Sequence, residues 1–503
     1  LSRRQRQMCI RDSLTTAEKI AEKSIVLLKN DGLLPIRKDL RSVAVIGPAA
    51  DTVSYGDYTE TRGRKGGVSV LDGIRAAVSP ETEVLYERGC NFLGQALHPF
   101  DPSMLRDENG ESGLTGHYYN GPVPQGEPVQ VRTDRTVNFN WIFALPHPAL
   151  DANCFSVVWT GSVVMPRTMD GCIGLSTQDS MRLYVDDKLL IDGWGKDKSA
   201  DQALDFHFEA GRTYKIRIEF VNDRRGARVI FGYSAGRENF PAAVEAARKA
   251  DVAILCMGDN EETSGENFDR TDLNLPGRQL ELVQAVYATG TPVVLVLQSG
   301  RPVTANWEND HLPAILEAWF PGEQGGTAIA KTLFGDAAPG GRLPITFPRS
   351  VGQIPCHYSR RPGGGKRYVE MDWLPLYPFG YGLTYTTFAY RDMALSRSVI
   401  DPQDTVTVSV TVTNTGKYTG DAVPQLYVRD MFSSVVKPER QLAAFRRLTL
   451  APGESRRVEL TVGPKQLRTL GPDYVWRVEP GKFELQLGDN AENILLRADL
   501  TVE

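Results

Sequence analysis

The stretch SGENFDRTDLNLPG, Ser264 to Gly277, sets a carboxylate, Glu266, between a glycine and an asparagine in a polar loop. The preceding DVAILCMG is a compact apolar run that reads as a core strand, and the following LPGRQLELVQAVYATG repeats apolar residues at helical spacing. A loop between strand and helix of an α/β sheet lies at the strand's carboxyl end, where such sheets place their ligands. Glu266 is therefore the first site candidate. Glu261 and Glu262 in DNEETSG stand close by but lack the Asp-Arg continuation. Glu323 in FPGEQGG is the strongest rival carboxylate; it begins a helix, where an acidic side chain meets the N-terminal dipole, so a structural role is preferred for it. Asp269 and Arg270 suit pairing or loop positioning rather than chemistry. The polar, Gly-rich GDYTETRGRKGG, Gly56 to Gly67, follows the first strand and brings Asp57 forward as a positioning or substrate-side residue, although an ordinary surface loop explains it equally well.

Other clusters carry less. PGGGK, Pro362 to Lys366, does not satisfy GxxxxGK[ST] and has no strand-to-helix frame, so a nucleotide site is rejected. The adjacent Asp186 and Asp187 in YVDDKLLIDG form a pair of a kind that can hold calcium, but a turn between two strands accounts for them more simply. The six cysteines lack CxxC or His-Cys spacing, which indicates neither zinc nor a disulfide framework, and Cys256 reads as a small core residue. No metal and no cofactor is expected. With 57 Lys+Arg against 62 Asp+Glu the net charge is −5, which suggests no basic face for nucleic acid. No apolar run reaches membrane-spanning length, so no membrane partner is expected.

The elements that must position these residues fall into an interrupted pattern. Leu1 to Ser13, LSRRQRQMCIRDS, carries four arginines without an apolar signal core and is set aside as an artefact or a disordered tail, with authentic upstream sequence expected to be missing. From Leu14, LTTAEKIAEKSIVLLKND has helical spacing with Thr15 or Thr16 as N-cap, and RSVAVIGPAAD reads as a buried strand. VSVLDGIRAAV (helix) and TEVLYERG (strand) follow; the alternation resumes at NFPAAVEAARKA and runs through DVAILCMG, TPVVLVLQSG, PAILEAWFPG, GGTAIAKTLFG and RLPITFP, the last read as a strand. The expected fold class is α/β plus all-β: an α/β sandwich over 14–112 and 236–395, a β-sandwich insert over 113–235, and an immunoglobulin-like sandwich over 396–503.

SIVLLKNDGLLPI, VAVIGPAAD, GENFDRTDLNLP, LVLQSGRPV, AWFPGEQGGTAIAKTLFGDAAPGGRLPITFPRSVGQIP and YPFGYGLTYTTF together resemble the C-terminal part of glycoside hydrolase family three, the β-glucosidase and β-xylosidase family. The insert resembles a protective-antigen-type sandwich and the last domain a fibronectin type III-like module. The resemblance implies that Glu266 is the general acid/base of a retaining, exo-acting β-glycosidase. Its substrate is then a β-linked oligosaccharide or glycoside, and its nucleophile lies on an N-terminal barrel of the same polypeptide that is absent here. Such an acid holds its proton near neutral pH through a desolvated site and a nearby charged nucleophile. The resemblance favours a periplasmic or secreted location; homo-oligomerisation stays open. The alternative is a noncatalytic carbohydrate-binding or adhesion protein, which would have no need of SGENFDR on an α/β sheet.

Overall fold

The computed structural model describes residues 3–59, 66–92, 97–141, 145–177, 179–195, 202–222, 227–235, 240–261, 263–363 and 367–503. Two compact units divide them, one of residues 1–92 with 240–503, the other of residues 93–239. None of the described helices is long and apolar enough to cross a membrane.

The first unit is built on α1 (Arg3–Ser24), β1 (Val26–Asn30), β2 (Ser42–Ile46), α2 (Val70–Ala77), β3 (Glu83–Glu87), α3 (Phe240–Lys249), β4 (Val252–Gly258), α4 (Gln279–Tyr287), β5 (Val293–Gln298), α5 (Asn306–His311), β6 (Ala314–Glu317) and α6 (Gly325–Leu333). Its six strands lie in the order β1-β6-β5-β4-β2-β3, parallel except for β1, which runs antiparallel to β6 at the edge. β4 and β5 are buried at every position because helices cover both faces, which is why VAILCMG and VVLVLQ are nearly continuous apolar runs without alternation. One cluster, with Val45, Ile254, Val296, Ile74 and Ile329, fills the side of α2 and α6; a second, with Ala44, Leu255, Leu295, Leu282 and Ala243, fills the side of α3 and α4.

The start of the chain departs from the expected pattern. α1 runs through Thr15 and Thr16, and the Thr16 hydroxyl donates to the Asp12 carbonyl at 2.8 Å one turn back, so neither threonine is an N-cap and residues 3–13 continue a helix rather than a disordered tail. The helix ends at Ser24, and VLLKN is β1 instead of its continuation: Ile25 to Leu28 are all buried, a run apolar on every side that suits a strand between two layers better than an amphipathic helix. RLPITFP forms no strand, only a bridge between Phe347 and Tyr377, since Pro344 and Pro348 offer no N–H to a ladder.

The second unit is two antiparallel sheets that share a core of Trp159, Tyr118, Phe155, Phe220, Phe208 and Phe231. It starts earlier than Gly113, because His98–Pro99 pairs with the strand Arg228–Ala235 and Leu105–Arg106 with Phe155–Val164. The C-terminal all-β region likewise starts before Ser396: Phe388–Leu395 pairs with Val406–Asn414, and the sheets there close over Val408, Leu426, Leu460, Leu485 and Leu500. The strand Val406–Asn414 alternates buried and half-buried residues along its whole length, the period-two pattern of a strand with one face in a core.

The chain leaves the first unit at Phe92 and re-enters it at Phe240. Both points are held at the start of α4: the Gln279 side-chain amide donates to the Phe92 carbonyl at 3.5 Å, and the Arg278 guanidinium lies 4.5 Å over the Phe240 ring.

On the opposite face α2 and α6 cross glycine to glycine. A Cβ on Gly73 would stand 2.1 Å from the Gly326 carbonyl oxygen, and one on Gly326 would stand 1.9 Å from that of Ser69. Gly73→Ala, which helix propensity alone would make stabilising by about 1 kcal/mol, is therefore expected to destabilise the chain by about 1–3 kcal/mol through forced separation of the helices. The midpoint of urea unfolding at constant m-value reads the sign directly.

Candidate active site

Four loops leave the carboxyl ends of the parallel strands β2, β4, β5 and β6, and they hold one another. Ser54, after β2, accepts at its carbonyl from Gly322 N–H, after β6, at 3.2 Å, and Glu323 O accepts from Val68 N–H at 2.8 Å. Arg301, after β5, donates from Nη2 to the Thr263 carbonyl, after β4, at 2.9 Å.

Glu266 occupies a tight turn in the loop after β4. Phe268 N–H donates to Gly265 O at 3.2 Å, and Asn267 adopts φ 65°, a left-handed position that asparagine tolerates better than most residues. The Glu266 backbone N–H donates to Asp57 Oδ2 at 3.1 Å. Gly265 lets the two loops close, since a Cβ there would fall 2.7 Å from the same carboxylate oxygen. The turn is thus gripped by its backbone, while the Glu266 side chain is exposed and accepts no hydrogen bond from a described residue. Beside Asp57, Tyr58 is 78% exposed at φ 58°.

The base of the same loop is pinned by a residue that sequence reasoning missed. Asp259, immediately after β4, is 2% exposed. Its N–H donates to Gln298 O at 2.8 Å, and its Oδ1 accepts from the Thr263 hydroxyl at 3.0 Å. Arg270 Nη1 lies 3.5 Å from Oδ1 and Arg301 Nε 3.6 Å from Oδ2, so the carboxylate sits between two guanidinium groups. Burial pushes its pKa above the usual aspartate range, against the pull of Thr263, Arg301 and Arg270. A second missed carboxyl, Glu317 at the end of β6, is fully buried and accepts from Trp319 N–H at 2.8 Å. Both could have been noticed as charged residues closing otherwise apolar strands, VAILCMG-Asp259 and AIL-Glu317.

The remaining candidates separate from this centre. Arg270 does not pair with Asp269; it holds Asp259, Asp272 and the Asn274 carbonyl, and Asp269 is exposed. Glu323 lies two residues before α6, exposed, and serves the fold through its backbone carbonyl. Glu261 is exposed, whereas Glu262, residues 60–65 of the loop after β2 and residues 364–366 of PGGGK lie outside the described residues. Asp186 and Asp187 occupy a turn at φ 49° and 62° and are engaged by cations of the same unit, Arg212 at 3.3 Å and Lys215 at 2.9 Å.

Comparison with known proteins gives this geometry a context. Residues 25–385 match the model of the glycosyl hydrolase family 3 C-terminal domain, and residues 422–491 that of a fibronectin type III-like domain. A β-glucosidase of Rhizobium radiobacter is 34% identical over 513 residues, covering 95% of this chain and 61% of that protein. A β-xylosidase of Formosa agariphila is 45% identical over 302 residues, 58% of this chain and 42% of that protein. The crystal structure of a β-glucosidase from Kluyveromyces marxianus in complex with glucose superimposes with a TM-score of 0.72 at 28% identity, covering 98% of this chain and 63% of that one. The chain thus spans less than two thirds of the length of each of these relatives.

The grip of Asp57 on the turn is open to measurement. Asp57→Ala removes the hydrogen bond that Glu266 N–H donates at this partly exposed site, worth about 0.5–1.5 kcal/mol. Amide exchange at Glu266 and its neighbours should accelerate about 3- to 10-fold while the global unfolding midpoint hardly moves. Mass-spectrometric hydrogen exchange of the peptide spanning Glu266 checks both parts.

Proposed function

This chain belongs to glycosyl hydrolase family 3, and from that premise we propose that it supplies the general acid/base of a retaining β-glycosidase, with Glu266 in that role. The observation that carries the reading is the division of labour at the turn: Glu266 is held through its main chain by Asp57, and its carboxyl group is left exposed and without structural duty. Retaining glycosidases use two carboxyl groups about 5 Å apart. One attacks the anomeric carbon; the other protonates the departing glycosidic oxygen and, in the second step, takes a proton from the water that releases the sugar. Glu266 performs the second task in this proposal, and the attacking carboxylate comes from a part of the polypeptide outside these 503 residues. The relatives' greater length supports that assignment.

The rim is built for such a role. Catalytic groups need fixed positions on rigid elements, and here the loop base is fixed by Asp259 and its two arginines while the tip is fixed by Asp57. Left-handed backbone at Tyr58, Asn267 and Trp319, all in these loops, is the kind of local strain that gathers at functional sites. The exposed Tyr58 ring offers a flat apolar face of the type against which a pyranose ring can lie. The relatives point to β-glucosides as the first substrate class and β-xylosides as the second.

Two measurements test the proposal. In the complete polypeptide, Glu266→Gln should slow hydrolysis of glycosides with poor leaving groups by about 100-fold or more and spare activated aryl glycosides, as loss of general-acid help requires; equal losses for both would remove Glu266 from the role. The 503-residue chain by itself should not turn over aryl β-glucosides or β-xylosides, because proton donation alone contributes only about 10²–10⁴-fold. Turnover by the purified chain that disappears in Glu266→Gln would falsify the placement of the nucleophile elsewhere.

A further inference from the structure

Glu317 ends β6 in a place where, among the described residues, no cation pairs with its carboxyl group. The side chain is fully buried. Its register partners are Val26 on β1 and Leu297 on β5, neither of which titrates. From the end of β4 the facing charge is Asp259, of the same sign. Arg301, in the loop after β5, has its guanidinium turned to Asp259 and to the Thr263 carbonyl. An ionised carboxylate without a paired cation in such surroundings is costly enough that the group takes up a proton instead.

Hydrogen-bond accounting leads to the same place. Glu317 Oε1 accepts from Trp319 N–H at 2.8 Å. The Ser299 hydroxyl oxygen lies 3.2 Å from Oε2 and 3.4 Å from Oε1, and 2.8 Å from the Arg301 carbonyl, its shortest contact. A serine hydroxyl has one proton to give, and the carbonyl has none. The shorter contact takes the serine proton, so the contact between Ser299 and Glu317 needs a proton from the carboxyl group.

We propose that Glu317 works as a neutral carboxylic acid, a positioning residue whose proton is donated to Ser299 and thereby ties the end of β6 to the loop that carries Arg301. Burial, with Asp259 adding to it, holds the Glu317 carboxyl well above the usual glutamate range against the pull of hydrogen bonds from Trp319 N–H and from the Ser299 side chain and backbone, in keeping with this assignment. The consequence reaches the candidate site in two links: Ser299 fixes the Arg301 carbonyl, and Arg301 fixes the Thr263 carbonyl at the base of the Glu266 loop. That significance rests on the acid/base role proposed for Glu266; the protonation state of Glu317 does not.

The sign of the pH dependence follows. The folded chain keeps a proton that the unfolded chain releases above about pH 4.3. Relative to a side chain that is neutral throughout, the wild type therefore has its full stability below that pH and loses it as pH rises toward the folded pKa, by up to about tenfold in the unfolding constant per pH unit. Glu317→Gln is the neutral mimic, since its amide N–H₂ can donate to Ser299 and its oxygen can accept from Trp319 N–H.

The experiment compares the intact 503-residue chain with Glu317→Gln by urea unfolding between about pH 4.5 and 8.5. The variant is expected to match the wild type at the acid end and to gain on it as pH rises. Infrared difference spectra at pH 7 should show a protonated-carboxyl band in the wild type that Glu317→Gln lacks. Amide exchange over residues 263–270 should stay protected in Glu317→Gln and accelerate about tenfold or more in Glu317→Val, which keeps neither bond. Parallel stability profiles, a variant that falls behind as pH rises, or the absence of the infrared difference would each overturn the proposal. None of these readouts depends on glycoside hydrolysis, so a failed acid/base test at Glu266 is distinguishable from a failure here.

Discussion

A carboxylate at the end of a buried strand has to be paid for by its neighbours, and Asp259 organises the rim of this sheet through that requirement. With 2% of its surface exposed it cannot rely on water. Thr263 from its own loop, Arg270 from farther along that loop and Arg301 from the next strand supply the compensation. Because these partners come from separate segments, satisfying one buried charge fixes the path of most of the chain between β4 and α4, together with the segment after β5. Breaking one partner of such a set leaves an uncompensated buried charge, which is far more destabilising than the loss of an exposed ion pair.

The same rim separates groups that are consumed by the fold from a group that is spared. Asp259, Arg270, Arg301 and Ser299 spend their hydrogen-bonding capacity on one another and on backbone carbonyls. Asp57 spends one carboxylate oxygen on the main chain of the turn. Glu266 combines a backbone N–H held by a carboxylate of another loop with an uncommitted, exposed carboxyl group. Exposure by itself would mean nothing, as Asp269 and Glu323 are exposed too; what distinguishes Glu266 is that a side-chain carboxylate from another loop holds its peptide N–H.

Much of this could be read before any coordinates, where the signal was local. The buried strands β4 and β5 declare themselves as unbroken apolar runs, and the helices after them by their spacing, so the place of Glu266 at a strand's carboxyl end followed directly. Long-range pairing was not legible. VLLKN carries the same apolar residues whether it extends α1 or forms an edge strand, and only the free edge of β6 decides. Strands of two residues, such as His98–Pro99 and Leu105–Arg106, have too little pattern to show that they belong to the sandwich they pair with. Asp259, Ser299, Arg301 and Glu317 are less legible for a related reason: each is a polar residue at or just past the end of an apolar run, and part of its meaning lies in a partner from another segment, as with Asp259 and Arg301 or Ser299 and Glu317.

The first turn of α4 receives the chain on both sides of the long excursion between Phe92 and Phe240, with Gln279 on one end and Arg278 on the other. A scaffold that holds the two cut ends of its own chain behaves as a socket: its sheet can close with any polypeptide between them, provided that the intervening segment brings its own ends within reach. Exchange of the intervening segment, by recombination over evolutionary time or by deliberate grafting, is then a change of cargo that leaves the pairing of β2 with β4 intact.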